Sequence, residues 1–503
     1  MTHSQHFENE PKKSLGDIPS KASFDFNMDY LSEPWEHQKV GLKNSIGKDF
    51  YGFFYEAGTG KTLTTILASR AKMAMAKRKL KVLVVCPVIV IENWAKEWLN
   101  FSRLKPVTLV GSSAKVRKTL AAHPEADVLI INYEKLLGDM KDEGTVVFDL
   151  LKRQCDILII DESHKVKDVR AKRSKAVFAL AKVARYRFAL SGTPILNSPQ
   201  DIFGQIKCLD LGKKFGTNPF DFKRRYFFDR NANMPAARYF PDWKLKPGAL
   251  EEISAAISPF SMHVKKSECL DLPPFIRDTI AVEMTPKQRK MYNELKADFV
   301  SYIDDKACVA NLAMVKALRL LQIASGFCVL EDLDGKNREE MVFEPNPKAQ
   351  ALKELLETTC QSSKVLVWCA FRRNYADVAK VCKRLGVGYV EIHGDIKSKD
   401  KFESVDKLNN DPDTRVLIGH PGSGGIGINL VAASYSVFYS RSFSLEHDLQ
   451  AEARNYRGGS EIHEKITRID LVAKDSIDEL VLKKLAEKEN IGHAVLKDLA
   501  RSL

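Results

Sequence analysis

Short apolar runs alternate with longer amphipathic stretches along most of this chain. In the first half, residues 82–86, 128–131 and 157–160 are continuous runs of Val, Leu and Ile with a single Cys. The pattern returns in the second half at residues 365–368, 416–418 and 435–438. Uninterrupted apolar runs of this length are typical of strands buried on both faces, as in a parallel sheet covered by helices. The pattern therefore predicts an α/β protein with two parallel-sheet lobes.

Changes in this pattern predict the domain boundaries. Leu272-Pro273-Pro274 stops any helix and marks a crossing between the lobes. Residues 286–326 have helical periodicity without strand-like runs. In chain order we expect a flexible polar tail (1–27), a first lobe (28–260), an inter-lobe crossing (261–285), a helical insertion (286–345), a second lobe (346–475) and a C-terminal helical brace (476–503).

Composition favours a nucleic-acid partner and a reducing compartment. The 503 residues carry a formal net charge of +13, which attracts polyanions, although a merely soluble basic surface is the simpler alternative. Nine cysteines are scattered without a Cys-x-x-Cys pair, so the chain has no zinc-ribbon pattern. The chain starts without the apolar stretch of a signal peptide, and the run from Val82 to Ile91 is too short to span a membrane. We expect a cytoplasmic protein without membrane contact.

Residues 55–62, Tyr-Glu-Ala-Gly-Thr-Gly-Lys-Thr, have the features of a phosphate-binding loop. They follow the strand-like run 50–54 and precede a helical stretch, which is the context that such a loop needs. Glycines let the backbone wrap an anion with its N–H groups pointing inward. Tyr55 stands where the common form of the loop has a glycine. The candidates for binding ATP are Gly58, Thr59, Gly60, Lys61 and Thr62.

Two adjacent carboxylates follow the predicted strand 157–160. Lys61 can reach the β- and γ-phosphates and the Thr62 hydroxyl can bind Mg²⁺. Asp161 can hold the same Mg²⁺ through water, while Glu162 orients and deprotonates the attacking water. An isolated acidic pair after a strand is more often a helix N-cap, but the upstream lysine favours the catalytic interpretation. His164 is either a surface helix residue or a link to residues 191–194.

A pair of arginines near the end of the chain can supply positive charge. Arg454 and Arg457 stand three residues apart, between Gln450 and Gly459. Phosphoryl transfer spreads negative charge over the γ-phosphate oxygens, which an inserted guanidinium stabilises. The alternative is a solvated helix face, because residues at i and i+3 are neighbours on a helix. We expect these arginines to act at the nucleotide with Lys61.

The motifs described above, together with several further segments in the same order along the chain, resemble the Swi/Snf family of superfamily-two helicase-like ATPases. The resemblance covers about residues 30–490. The likeness rests on residues 34–41, 55–62, 86–98, 131–134, 161–164, 191–197, 265–274, 424–430 and 450–460. It implies RecA-like lobes, with Gln38 contacting the adenine and Gln450 at the nucleotide. His420 and Pro421 replace a usual Ser/Thr pair, Ala453 replaces a usual Asp, and Val88 stands where many relatives have a small polar residue.

The resemblance also implies a motor that tracks along duplex DNA through sequence-independent phosphate contacts. The candidate DNA contacts are Asn93, Trp94, Thr193, Asn197, Gly424 and Gly425. Trp94 could stack on a base, but large aromatic residues are more often buried, so packing within the first lobe is the stronger alternative. The basic run 170–175 is a weaker candidate, because a charge run is usually a solvated helix face.

The expected function is an ATP-dependent DNA translocase or helicase that remodels branched DNA by fork reversal or branch migration. The size of the chain suggests a bacterial or phage enzyme of replication, recombination or repair. The first alternative is a motor that displaces a protein such as RNA polymerase from DNA. A non-catalytic scaffold is disfavoured by the intact Lys61, Asp161, Glu162, Arg454 and Arg457. RNA remodelling is disfavoured only by the family likeness.

Overall fold

The computed structural model describes residues 33–500 except 110–112, 124, 140–144, 197, 234–240, 306–309, 332–337, 397 and 423–427. The predicted tail and the candidates Asn197, Gly424 and Gly425 lie outside the described residues. The chain divides into two compact units. Unit 1 contains the described residues up to 229, with 242–269 and 492–500, and unit 2 contains the described residues of 230–241 and 270–491.

Unit 1 is built on a parallel sheet of seven strands in the order β3-β4-β2-β5-β6-β1-β9. The strands of this sheet are β1 (Phe50–Tyr55), β2 (Val82–Cys86), β3 (Pro106–Thr108), β4 (Val128–Asn132), β5 (Ile157–Ile160), β6 (Tyr186–Leu190) and β9 (Ser261–Val264). Unit 1 also contains a separate antiparallel hairpin of β7 (Phe227–Asp229) and β8 (Trp243–Leu245). Its helices are α1 (Glu36–Ile46), α2 (Lys61–Ala76), α3 (Ile91–Phe101), α4 (Ala114–Ala121), α5 (Tyr133–Asp139), α6 (Thr145–Arg153), α7 (Lys172–Val183), α8 (Ile202–Asp210), α9 (Pro219–Tyr226), α10 (Ala249–Ile257) and α11 (Lys266–Cys269).

Unit 2 is built on a second parallel sheet, with six strands in the order β10-β17-β16-β13-β15-β14. Its strands, including an antiparallel hairpin (β11 and β12), are β10 (Phe275–Val282), β11 (Phe327–Glu331), β12 (Arg338–Val342), β13 (Val365–Trp368), β14 (Gly388–Ile392), β15 (Thr414–Gly419), β16 (Tyr435–Phe438) and β17 (Ile466–Ala473). Its helices are α12 (Pro286–Asp305), α13 (Ala310–Ala324), α14 (Pro347–Glu357), α15 (Arg372–Leu385), α16 (Ser398–Asn410), α17 (Leu445–Glu452) and α18, which begins in this unit (Ile477–Ala500).

The strands β2, β4 and β5 of the first sheet are buried on both faces, as the apolar runs predict. Val82 and Val84 of β2 belong to a core with α1, α2 and α3, whereas Leu83 and Val85 belong to a second core with α5, α6 and α7. Successive strand residues point to opposite faces, so one continuous apolar run supplies both cores. The predicted α/β fold with two parallel-sheet lobes is confirmed. Among the helices in the described part of the chain, none has the length and apolar character needed to cross a bilayer.

The segments assigned to the crossing and to the helical insertion contain strands that the pattern did not reveal. In the expected crossing, 261–285, β9 pairs with β1 in unit 1 and β10 pairs with β17 in unit 2. β10 is largely exposed, and three consecutive polar residues, Arg277-Asp278-Thr279, interrupt its apolar positions, so a search for buried apolar runs does not find it. The expected insertion contains α12 and α13 and also the hairpin of β11 and β12.

A buried lysine joins the first two helices of unit 1. Lys72 of α2 is 1% exposed, and its ammonium group donates to the carbonyl oxygens of Ser45 (3.2 Å), Ile46 (2.5 Å) and Lys48 (2.6 Å). These carbonyls lie at the end of α1, where a helix leaves acceptors unpaired and favours positive charge. Burial lowers the pKa of Lys72 to about 8, so the ammonium form persists at neutral pH. Lys72 therefore holds α1 against α2.

Replacing this lysine with an apolar residue of similar length tests the join. We expect Lys72→Met to lower the free energy of unfolding by about 1–3 kcal/mol, because buried carbonyl acceptors lose their donor. Urea unfolding followed by circular dichroism measures the change, and Lys43→Met on the exposed side of α1 is the matched control. Equal stability of Lys72→Met and the wild type would show that the ammonium does not hold α1.

Candidate functional site

The phosphate-binding loop closes on its own backbone between β1 and α2. Gly58 and Gly60 have φ values of 88° and 78°, in the left-handed region that glycine adopts without a steric penalty. The carbonyl of Glu56 accepts hydrogen bonds from the Thr59 amide (3.3 Å), the Thr59 hydroxyl (2.8 Å) and the Lys61 ammonium (3.3 Å). The loop ends at the N-terminus of the 16-residue helix α2, which favours an anion. These features fit a triphosphate.

Helix α1 supports this loop from one side. Gln38 is 2% exposed, and its amide nitrogen donates to the Gly60 carbonyl at 3.2 Å while its oxygen accepts the Trp35 backbone N–H at 2.7 Å. His37 lies 2.8 Å from the Thr59 carbonyl through Nε2. A side chain at position 60 would also displace Gln38, because a Cβ there would lie 2.0 Å from the Gln38 amide nitrogen. In this structure Gln38 stabilises the loop, and its contact with adenine stays a prediction.

Asp161 and Glu162 lie directly after β5, where parallel sheets usually present their functional residues. Asp161 is 9% exposed, and its Oδ1 accepts the Glu162 N–H at 2.9 Å. Glu162 has φ 49° and ψ 54°, a left-handed conformation that costs a non-glycine residue about 1–3 kcal/mol. Its side chain makes no capping hydrogen bond, so the N-cap alternative is not supported. Burial, and next the Glu162 charge, raise the pKa of Asp161 to about 6, against the opposing effects of Trp94 and Lys61.

Trp94 lies in the core of unit 1 and holds the Asp161 side chain. Its side chain is 1% exposed, and its indole Nε1 donates to Asp161 Oδ2 at 2.8 Å. A ring buried in this way has no face to offer a base, so the stacking interpretation of Trp94 is corrected and the packing alternative is confirmed. Asn93, the preceding residue of α3, is exposed. The Tyr133 hydroxyl donates to the Asp161 carbonyl at 2.6 Å, a contact that the sequence pattern did not indicate.

His164 connects Glu162 to the segment after β6. Its Nδ1 lies 3.3 Å from Glu162 Oε2 and 3.1 Å from Ser191 Oγ, and Ser191 Oγ also accepts the Thr193 N–H at 3.1 Å. His164 is buried, so the prediction of a link is confirmed and the surface-helix alternative is wrong. The same segment lies against the phosphate-binding loop, because a Cβ on Gly192 would be 3.3 Å from the Ala57 nitrogen.

Gln205 of α8 completes this arrangement, although the sequence analysis did not single it out. The Ser163 hydroxyl donates to its Oε1 at 2.7 Å, and its Nε2 donates to the Pro194 carbonyl at 2.6 Å. The side chain is fully buried. Gln205 therefore joins the segment after β5 to the segment after β6. A lone glutamine in an amphipathic helix gives no sequence signal for this role.

The two arginines of unit 2 follow the end of α17 and do not lie on a helix face. α17 begins after Ser444, whose hydroxyl accepts the His447 N–H at 3.3 Å, and ends at Glu452. The alternative of a solvated pair of helix neighbours is therefore wrong. Arg454 is 9% exposed and its carbonyl accepts the Leu430 N–H at 3.0 Å, while Arg457 is half-buried.

Charged side chains anchor α17 in unit 2. The α17 ion cluster consists of Arg441, Asp448, Glu452, Arg468 and Asp470. Arg468 contacts Asp448 at 2.8 Å and Glu452 at 2.7 Å, and Arg441 pairs with Asp448 and Asp470. Gln450, a candidate for the nucleotide site, is half-buried on the same helix and donates to Glu446 at 3.2 Å. The cluster thus fixes the helix that leads into both arginines.

The residues near the loop fit Mg²⁺ in their chemistry. In the part of the chain that the structure describes, no group of three or more His, Cys, Asp or Glu side chains forms a protein metal cage. Mg²⁺ in nucleotide sites usually takes one or two protein oxygens and completes its shell with water and phosphate oxygens. The Thr62 hydroxyl and the Asp161 carboxylate are oxygen ligands of this kind.

Each half of the chain matches a known protein family. The SNF2-related domain family matches residues 53–327, which is more than half of the chain, and the helicase conserved C-terminal domain matches residues 347–459. The chain belongs to the SNF2-related family. The SNF2-related match contains the loop, Asp161, Glu162 and Ser191, and the helicase C-terminal match contains Arg454 and Arg457.

Relatives of this SNF2-related protein differ widely in length. An uncharacterized ATP-dependent helicase of Mycoplasma pneumoniae is 26% identical over 95% of this chain and 45% of its own length. Putative protein p41 of Acyrthosiphon pisum secondary endosymbiont phage 1 is 27% identical over 88% of this chain and 94% of its own length. The DNA annealing helicase and endonuclease ZRANB3 of Mus musculus is 27% identical over 88% of this chain, which spans 38% of that protein.

One solved structure aligns with most of the chain. The Sulfolobus solfataricus SWI2/SNF2 ATPase core in complex with double-stranded DNA aligns over 94% of both chains, with 23% identity and a TM-score of 0.41.

Glu162 provides a direct test of the predicted catalytic roles. We expect Glu162→Gln to lower ATP hydrolysis by at least about 100-fold, as for the loss of a general base, while ATP binding is retained. Turnover measured by phosphate release, together with equilibrium binding of a fluorescent ATP analogue, separates the two effects. Glu251→Gln, at an exposed glutamate of α10, is the matched control. Wild-type turnover in Glu162→Gln would contradict the role of the base.

Proposed function

We propose that this SNF2-related protein is an ATP-dependent DNA translocase or helicase that moves along duplex DNA and remodels branched DNA. The observation that carries the proposal is the position of Glu162. Its backbone is held in a left-handed conformation beside the buried Asp161, and its carboxylate contacts His164, which reaches Ser191. A strained residue that several neighbours hold in place is typical of a catalytic position.

The residues of unit 1 have distinct roles in this proposal. Lys61 and the backbone of residues 58–62 bind the triphosphate. Thr62 and Asp161 hold Mg²⁺, which supplies charge neutralisation at the phosphates when it is bound. Glu162 accepts the proton of the attacking water, and His164 joins this group to Ser191 and Thr193. The hydrogen bonds from Trp94 and from the Glu162 N–H support Asp161 in this role.

Arg454 and Arg457 are proposed to stabilise the negative charge that develops at the γ-phosphate. A guanidinium has this effect wherever it can insert beside the transferring group. A buried hydrogen bond that holds the segment between the two arginines supports this role. Asn455 lies between them, is fully buried and donates to the Ala433 carbonyl at 3.0 Å. Closure of the lobes around ATP and their opening after hydrolysis would drive movement along DNA.

DNA is the proposed partner because of charge and family. The net charge of +13 favours sequence-independent contacts with phosphates. Asn93, Thr193, Asn197, Gly424 and Gly425 are the proposed contacts. Branch remodelling is supported by the annealing activity named for the ZRANB3 relative. The phage relative also supports action in the cytoplasm of a bacterium or of a phage-infected host.

A comparison of nucleic-acid substrates tests the proposed function. ATP hydrolysis is measured side by side with single-stranded DNA, blunt duplex, a fork, a four-way junction and RNA. We expect the largest stimulation with the fork or the junction. Equal stimulation by plain duplex would indicate a general translocase, consistent with displacement of a DNA-bound protein such as RNA polymerase. Stimulation by RNA alone, or by none of the substrates, would contradict the proposal.

Variants of the two units separate binding from turnover. Lys61→Ala is expected to abolish ATP binding, because the ammonium proposed to bind the phosphates is lost. Arg457→Ala is expected to bind ATP normally and to lose about 10³-fold or more of turnover, the size of effect known for arginine fingers. Arg384→Ala, at an exposed arginine of α15, is the control for charge. A normal turnover number for Arg457→Ala would exclude the finger role.

A further inference from the structure

Both oxygens of the Asp161 carboxylate have a fixed donor inside unit 1. Oδ1 accepts the Glu162 N–H at 2.9 Å and Oδ2 accepts the Trp94 indole N–H at 2.8 Å. A carboxylate oxygen has two acceptor positions, so each oxygen still has room for a further donor such as a metal-bound water. The two hydrogen bonds therefore fix the orientation of the carboxylate without using up its capacity. Of the two donors, Trp94 is the one that comes from a different segment of the chain.

A second side chain holds the backbone of the same residue. The Tyr133 hydroxyl donates to the Asp161 carbonyl at 2.6 Å, and Tyr133 is fully buried at the start of α5. Asp161 is thus held through its side chain by α3 and through its carbonyl by α5. A displacement of either helix must move this residue or break a buried hydrogen bond, which is costly.

The helix that carries Trp94 also presents a polar surface. Asn93 and Lys96 are exposed on α3 while Trp94 between them is buried. An exposed amide and ammonium three residues apart lie on one face of a helix and can contact successive phosphates of a nucleic-acid backbone. A force applied to this face therefore acts on the same helix that holds Asp161.

Trp98 shows that burial alone does not produce the contact. It lies one turn later on α3 and is fully buried, yet its indole nitrogen has no hydrogen-bond acceptor among the described residues. The two tryptophans share helix, residue type and burial, and they differ in the bond to Asp161. The pair provides a matched comparison of the indole N–H group.

We propose that Trp94 is a positioning residue that couples nucleic acid bound on the exposed face of α3 to the orientation of the Asp161 carboxylate. The inference rests on the proposed function, because it assigns a route by which DNA changes the state of the nucleotide site. Contact with DNA at Asn93 and Lys96 shifts α3, the indole N–H moves with the helix, and the carboxylate follows. Coupling of this kind is reciprocal, so bound nucleotide changes the affinity for DNA by the same factor.

The test measures binding with the full chain and does not depend on turnover alone. The affinity for a fluorescent ADP analogue is measured with Mg²⁺ and with EDTA, each with and without duplex DNA. For Trp94→Phe we expect the gain in affinity due to Mg²⁺ to fall about ten-fold, as for a lost hydrogen bond to a charged group. We expect the effect of DNA on nucleotide affinity to disappear, while affinity in EDTA stays unchanged. Trp98→Phe should keep both the Mg²⁺ effect and the DNA effect.

Equal behaviour of Trp94→Phe and Trp98→Phe in these measurements would overturn the inference. Tyr133→Phe, which removes a single hydroxyl, is the second variant if Trp94→Phe does not fold, and it should also weaken the effect of DNA. Stimulation of the wild type by DNA is the separate test of the proposed function. If the wild type responds to DNA and Trp94→Phe responds equally, the proposed function stands and the inference fails. If the wild type shows no response to DNA, both fail.

Discussion

The carboxyl-terminal edge of the first parallel sheet is the constraint on which the candidate site depends. β5, β6 and β1 are adjacent in the sheet, although they are distant in the chain. The segments that follow them carry Asp161, Ser191 and the phosphate-binding loop, respectively. Because the strands are parallel, these segments must emerge at the same edge. The contacts from His164 to Ser191 and from Gly192 to the loop follow from this adjacency.

The two units stabilise buried charge in different ways. In unit 1, Lys72 is surrounded by backbone carbonyls, and Asp161 accepts hydrogen bonds from an indole and a backbone N–H. In unit 2, the α17 ion cluster pairs opposite charges directly. Burying a charge is costly unless it is paired or hydrogen-bonded. In both units, these contacts hold charged groups in elements that lead to the segments proposed to contact the nucleotide.

Rigidity near Glu162 has a functional consequence in the proposed mechanism. The residue keeps an unfavourable backbone conformation because its amide, its carboxylate and the following Ser163 all have partners. A group fixed before the substrate binds needs little reorganisation during the reaction. The same network gives neighbouring helices a mechanical connection to the site. Trp94 and Tyr133 extend that connection to α3 and α5.

The sequence by itself determined the strands with continuous apolar runs, the phosphate-binding loop and the acidic pair, because each depends on a local pattern. The runs 82–86, 157–160 and 365–368 coincide with β2, β5 and β13, since continuous apolar runs are typical of strands buried on both faces. The largely exposed strand β10 had no such pattern and was missed. Only the tertiary structure decided that Trp94 faces Asp161, that Gln38 supports the loop, and that the arginines follow α17. The contacts of Trp94 and Gln38 join residues far apart in the chain, 67 positions for Trp94 and Asp161, and no local periodicity specifies the partner of a buried polar group.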